Sequence, residues 1–233
     1  MKIAVLNIAT GPYIDLFPRS MECIENNFFT SEDVDLFLFT DSDEVYESDR
    51  VNIKKYVIKR SGWPKDTLYR YHYFLLAEED LVNYDYVFYI DVDMNVIAPV
   101  GQEVLGELVA TYHPGFYNRP GATFENRKMS TAYVEPQNRP YFAGGFQGGV
   151  SSKFLDACRA ISKNVDIDES NGITAVWHDE SHWNAYLCKE TPTLSLSPAY
   201  CYPEDDYPWL AGFKGREKIV VIEKDEKALR EGS

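Results

Sequence analysis

Short apolar runs bounded by turn residues alternate with stretches of helical period along the first ninety or so positions of the chain. Residues 2–8 read as a buried strand that ends in Ala9-Thr10-Gly11-Pro12-Tyr13, a turn holding two strong structure breakers. Ile14, Phe17, Met21 and Ile24 then recur at helical spacing over 14–26. Residues 34–40 form a second apolar run, 41–49 an acidic solvated loop, and 51–58 a third strand with partial alternation. After Gly62-Trp63-Pro64 the pattern predicts a helix, capped by Asp66 or Thr67, running to about Leu81 on a stripe of Leu68, Tyr71, Phe74 and Leu75. Arg70 lies off that stripe, as a surface residue or one directed at an anion. A continuous aromatic and β-branched run, 86–90, follows as a strand covered on both faces. Strand, helix, strand, helix, strand in this order predicts an α/β fold with a parallel sheet under helices.

The second half is patterned differently. Residues 108–113 read as a strand entering His113-Pro114-Gly115-Phe116-Tyr117, and 118–139 as a long polar loop rich in Pro, Asn and Arg. The run 141–149, YFAGGFQGG, is either a site where backbone approaches another body or a tightly packed, bulged strand pair. A helix capped by Ser151 or Ser152 is expected to about Lys163. Another opens within 176–184, with acidic residues in its first turn where the helix dipole favours them. Short strands at 193–196 and 219–222 flank a turn at 197–200, and the charged tail 223–233 is a frayed end or a lid of basic side chains. No repeat or composition shift marks a boundary, so 1–233 is expected to be a single domain.

The chemistry concentrates where the aromatic strand ends, in Asp91-Val92-Asp93. Two carboxylates emerging from a buried strand are costly unless their charge is compensated. Hard oxygen ligands of this kind suit Mg²⁺ or Mn²⁺ with positions left for phosphates; two solvated turn aspartates are the plain alternative. A loop at the carboxyl end of the first strand is a usual place for a nucleotide, with Tyr13 either stacking on a base or packing. Neither G-x-G-x-x-G after the first strand nor G-x-x-x-x-G-K-[ST] is present, which disfavours dinucleotide oxidoreductases and P-loop enzymes. His178 and His182 stand at i and i+4, but the glutamate between them, Glu180, is one place too late for the zinc-hydrolase pattern H-E-x-x-H.

Composition narrows the partners. The net charge of −14, from 23 basic and 37 acidic residues, argues against non-specific nucleic-acid binding and anionic membrane surfaces. Four cysteines without a C-x-x-C spacing read as free thiols of a reducing compartment. No apolar stretch reaches the roughly 20 residues of a membrane span, and MKIAVLNIATG opens like a strand rather than a signal peptide. A soluble, cytoplasmic protein is expected, with the oligomeric state left open.

In order along the chain, YIDVDM, HPGFY, FAGGFQGG, NGITAVWHDESHWN and LSPAY resemble the family 6 glycosyltransferases, which include the histo-blood-group transferases and α1,3-galactosyltransferases. The likeness extends from about Ile8 to Arg230 and suggests a soluble microbial or viral member without the anchor and stem of the vertebrate enzymes. It implies a GT-A fold, in which about 1–100 binds a nucleotide sugar and about 101–233 binds the acceptor and closes a C-terminal lid. It further implies retaining transfer from a UDP-sugar to a galactoside, dependent on Mn²⁺, with Mg²⁺ as the alternative. Carried over residue by residue, Ile8, Ala9 and Tyr13 would line the uridine pocket, and Arg70 would lie near the donor. Asp91 and Asp93, flanking Val92, would hold the metal. His113, Thr123 and Trp177 would contact the acceptor, Asp179 the donor sugar, and Lys224 and Arg230 the diphosphate. Glu180 would be the catalytic carboxylate, also meeting the acceptor. Ala143-Gly144-Gly145 would lie beside the sugar's 2-substituent, and glycine at the third place favours UDP-GalNAc over UDP-Gal. The run Cys201-Tyr202-Pro203-Glu204 departs from the family's aspartate near the acceptor, and no role is carried over to Glu204.

Overall fold

The structure, a computed structural model, describes residues 1–135, 139–205 and 207–231. Its strands are β1 (Lys2–Ala9), β2 (Asp33–Thr40), β3 (Asn52–Val57), β4 (Tyr86–Ile90), β5 (Met94–Val96), β6 (Leu108–Tyr112), β7 (Phe142–Val150), β8 (Leu194–Leu196), β9 (Tyr202–Pro203) and β10 (Ile219–Val221). The helices are α1 (Phe17–Asn27), α2 (Lys65–Leu68), α3 (Arg70–Leu75), α4 (Glu78–Leu81), α5 (Ser151–Ser170), α6 (His178–Leu187) and α7 (Glu226–Glu231).

The main sheet runs β3-β2-β1-β4-β7-β6-β8 and a small one β5-β10-β9. β3, β2, β1 and β4 are parallel, as the alternating elements predict, whereas β7 runs against both β4 and β6. Strand alternation on β4 splits the core into two layers. Val87 and Tyr89 join Tyr71, Phe74, Phe154 and Trp183 under α3, α5 and α6. Phe88 and Ile90 join Phe17, Ile24, Phe28 and Phe146 on the α1 side. Each such fully buried side chain contributes about 1.5–3 kcal/mol of transfer free energy, and with both faces covered the strands need no polar alternation.

The predicted helix over 66–81 is broken into α2, α3 and α4. Tyr69 (φ −89°, ψ 9°) and Ala77 (φ −101°, ψ 11°) leave helical geometry. Asp66 does not cap its own helix. Its carboxylate instead accepts the N–H groups of Ser61 and Gly62, at 2.7 and 3.1 Å, and the Thr10 hydroxyl at 3.0 Å. Arg70 opens a new helical phase at the break and is buried rather than surface-exposed. α5 extends well past Lys163, since Val165 and Asp168 still face inward in a segment whose polarity reads as a helix end. Ser151 does not cap it; the hydroxyl donates to the Leu81 carbonyl at 2.6 Å.

The glycine run serves both readings at different residues. A Cβ at Gly148 would strike the Val87 carbonyl, and one at Gly149, with φ +146°, the Glu107 carbonyl. Those two permit close strand packing, while Gly144 and Gly145 border the cavity described below. No helix among the described residues is long and apolar enough to cross a membrane. All four cysteines are unpaired.

Candidate active site

A cavity of about 500 Å³ opens where β1 and β4 end, between β7 and the first turn of α6. β1 delivers Ile8 and the loop residue Tyr13; the chain leaving β4 delivers Asp91, Val92 and Asp93; β7 delivers Gly144 and Gly145. Trp177, Asp179 and Glu180 enter from α6 and the residue before it, His113 from the end of β6, Arg70 from α3, and Lys224 from ahead of α7. Ala9 and Ala143 do not line it. Strand alternation turns them into the α1-side core, and their neighbours Ile8 and Gly144 face the cavity instead. Thr123 lines a second cavity of about 610 Å³, formed by 122–127 and 174–178, which shares Trp177 and His178 with the first. Arg230 falls in α7, and its side chain lies outside the described residues.

Arg70 organises the charges. Only 5% exposed, its guanidinium lies 3.2 Å from both Asp91 Oδ1 and Asp179 Oδ2 and donates to the Gly144 carbonyl at 2.6 Å. It covers the Tyr89 ring at 4.4 Å, and the Tyr89 hydroxyl donates to Asp91. Burial opposes the charge on Arg70, but Asp179, Tyr89 and Asp91 hold its pKa above the ordinary value. Burial lifts Asp179 to about 7 against the pull of Arg70. Glu180 is also lifted to about 7 by burial, opposed by the Gly144 N–H, which donates to Oε2 at 2.9 Å, and by the nearby Tyr141. Two adjacent carboxyls on one helical turn are therefore poised near neutrality, where a proton-dependent role is most easily tuned.

Lys224 pairs with Asp93 and lies over the Tyr13 ring at 5.6 Å. A cation thus sits against each aspartate of the D-x-D pair. Among the described residues no cluster of three or more His, Cys, Asp or Glu gathers as a metal cage. Two hard carboxylates with further positions left to water and phosphate oxygens nevertheless suit Mg²⁺ or Mn²⁺. His113 accepts the Gly115 N–H on Nδ1 at 3.0 Å, so its neutral ring carries the proton on Nε2; burial holds its pKa down to about 4. The helical pair His178 and His182 does not converge. His178, with φ +48°, meets Trp63 edge-to-face at 5.2 Å on the cavity wall, whereas His182 is buried 3.8 Å from Asp168.

Sequence reasoning missed Arg60, Thr10, Trp63, Asp66 and Tyr89, all of which line the first cavity. Tyr89 carried a usable signal, because two residues before Asp91 on a strand means the same face. Arg60 carried none; its guanidinium lies against Gly11, whose φ of +53° leaves room where a Cβ would collide.

A mostly parallel α/β sheet with paired carboxylates at the end of a central strand is the arrangement of a GT-A-like fold. Comparison with known proteins identifies the family. The model of glycosyltransferase family 6 matches residues 1–231, and the chain belongs to that family. It is 32% identical over 238 residues to rat histo-blood group ABO system transferase 1, covering 98% of this chain and 68% of the relative. It is 31% identical over 218 residues to chicken globoside α-1,3-N-acetylgalactosaminyltransferase 1, covering 88% of this chain and 62% of the relative. It is 29% identical over 233 residues to the Escherichia coli O-antigen biosynthesis glycosyltransferase WbnI, covering 98% and 97%. A nucleotide-sugar donor and a glycan acceptor follow from that membership.

Proposed function

We propose that the chain is a retaining α1,3-glycosyltransferase that moves GalNAc from UDP-GalNAc to a terminal β-galactoside. The observation that carries this reading is the convergence of Asp91, Asp93, Asp179 and Glu180 on one cavity, with Arg70 bridging Asp91 to Asp179. In this reading residues 1–100 bind the nucleotide sugar, with Ile8 and Tyr13 against uridine, and 101–233 bring the acceptor. Asp91 and Asp93 would hold Mn²⁺ or Mg²⁺, which would supply Lewis-acid neutralisation of the diphosphate. Lys224 adds an ammonium on the same side.

Asp179 bonds donor-sugar hydroxyls and is held in place by Arg70. Ionised Glu180 faces the anomeric carbon and stabilises the positive charge that develops as the bond to UDP breaks. The second cavity receives the acceptor between Thr123 and Trp177, the latter 49% exposed between the two cavities. His113 offers its Nε2–H to an acceptor hydroxyl.

Gly145 supports GalNAc, because the smallest residue leaves the most room for an N-acetyl group. UDP-Gal is the second reading for a specific reason. A Cβ at Gly145 would lie 2.6 Å from Met94 Sδ and 2.9 Å from Asp91 Oδ2, so glycine seats the metal ligand whichever sugar is carried.

The test is UDP release from UDP-GalNAc and from UDP-Gal, with and without 2′-fucosyllactose and with and without chelator. Acceptor-dependent turnover of UDP-GalNAc that chelator abolishes is expected. Preference for UDP-Gal would refute the pocket argument alone. UDP binding without turnover of either sugar would favour a carbohydrate-binding protein on this fold.

A further inference from the structure

Glu125 lies in a loop without helix or strand, where a carboxylate ordinarily faces water, yet it is only 1% exposed. Such burial is tolerated only when the oxygens are fully bonded, and here they are. Oε1 accepts the backbone N–H and Nε–H of Arg127, both at 2.9 Å; Oε2 accepts an Arg127 guanidinium N–H at 2.6 Å and the Val176 N–H at 2.9 Å. Arg127 also donates to the Thr174 carbonyl at 2.6 Å, and the Val134 N–H reaches the Glu125 carbonyl at 3.0 Å.

One side chain therefore joins the loop to the segment that ends in Trp177 and leads into Asp179 and Glu180. A second fastening, the Asp168 carboxylate accepting Ser130 Oγ at 2.5 Å and the Thr131 N–H at 2.7 Å, holds the same loop to the end of α5. The side-chain bonds from Glu125 and Arg127 reach Thr174 and Val176. Arg127 and the backbone N–H groups of Arg127 and Val176 keep the Glu125 carboxyl down at about 2 despite burial, so the fastening is ionised throughout the working pH range.

We propose that Glu125 is a positioning residue for transfer: it fixes the wall that Trp177 and His178 form between the two cavities, and so sets where the acceptor sugar meets Glu180. This rests on the reading of the second cavity as the acceptor site. Glu125→Gln is the sharp probe. Whichever oxygen becomes the amide nitrogen, it faces two donors, so two of the four bonds are replaced by donor–donor contacts.

The acceptor KM is expected to rise about tenfold or more. The donor KM and the acceptor-independent release of UDP to water are expected to stay within about twofold, because the carboxylate's partners among the described residues, Arg127 and Val176, do not line the first cavity. Arg127→Lys keeps the charge and the backbone N–H bond but gives up the planar fork that reaches both Glu125 oxygens and the Thr174 carbonyl. It is expected to move the same acceptor KM by less, and it carries the test if the glutamine variant does not fold. An unchanged acceptor KM in the folded variants, or an equal rise in donor KM, would overturn the inference. Wild-type enzyme is measured first. Absence of saturable acceptor dependence there sinks the acceptor-site reading, whereas saturation with unaltered variants sinks only the role of Glu125.

Discussion

Arg70 is the residue whose removal separates charge compensation from simple packing. Arg70→Met keeps most of the stem volume and deletes the guanidinium between Asp91 and Asp179. At pH 8 the wild-type Asp179 is ionised, buried and paired; in the variant it is buried and unpaired. Breaking a buried pair in this way costs about 3–5 kcal/mol, a large share of the about 5–15 kcal/mol that holds a domain folded. At pH 5 the cost is smaller. Burial lifts Asp179 to about 7, so at pH 5 it is already protonated and needs no cation. What is then lost is the bond to the Gly144 carbonyl and the pairing with partly exposed Asp91, about 1–3 kcal/mol.

The sign follows from proton binding. With a folded pKa above the unfolded value of about 3.9, the native state binds more protons through that window, and stability falls as pH rises through it. Removing Arg70 extends the window above pH 7. Urea unfolding of both proteins at pH 5 and pH 8 is the assay. The variant's deficit should be larger at pH 8 by about 1.4 kcal/mol, the most that linkage allows one pH unit above a wild-type pKa of about 7. An equal deficit at both pH values, or one below about 1 kcal/mol at pH 8, would refute the claim that Arg70 is there to compensate Asp179.

Three further outcomes are expected. Glu180→Gln should fold and bind UDP but lose transfer by several orders of magnitude, and wild-type transfer should fall as pH drops below about 7, where Glu180 and Asp179 take up protons as a coupled pair; near-normal transfer by the variant, or a flat profile to pH 5, would remove Glu180 from its role. Gly145→Ala should displace Met94 or Asp91, given the 2.6 and 2.9 Å approaches of the new methyl. It should weaken Mn²⁺ binding as well as shift donor preference, and titration calorimetry with Mn²⁺ and UDP that shows unchanged metal affinity would confine Gly145 to the sugar.

The strands were legible because a sheet covered on both faces writes itself as unbroken apolar runs, and β1, β2 and β4 begin and end within a residue of where those runs do. The helix breaks were not. The 3.6-residue period continues through Tyr69 and Ala77, and nothing local shows that Asp66, inside α2, spends its carboxylate on the preceding loop. The aspartates of the D-x-D pair announced themselves by charge at the end of a buried strand. The burial of Arg70 followed from a helix break with no signature of its own. The likeness to the family pointed to Ala9 and Ala143, which the structure places in the α1-side core. Arg60 reaches the cavity by folding a loop after β3 across the end of β1, a long-range contact that no local pattern encodes.

The base of the loop that carries Glu125 has a consequence of its own. Tyr112 pairs with Phe142, and the His113 N–H donates to the Tyr141 carbonyl at 2.9 Å. The described residues between them leave and re-enter the sheet at neighbouring points, and the bonds of Glu125 and Asp168 fasten the excursion further along. Lengthening such an excursion is cheap, about 0.6 kcal/mol for each doubling, and it leaves the register of β6 and β7 untouched. Insertions between those fastenings can therefore collect here without disturbing the sheet. Drift at Tyr89 has no such freedom, because that residue is also core.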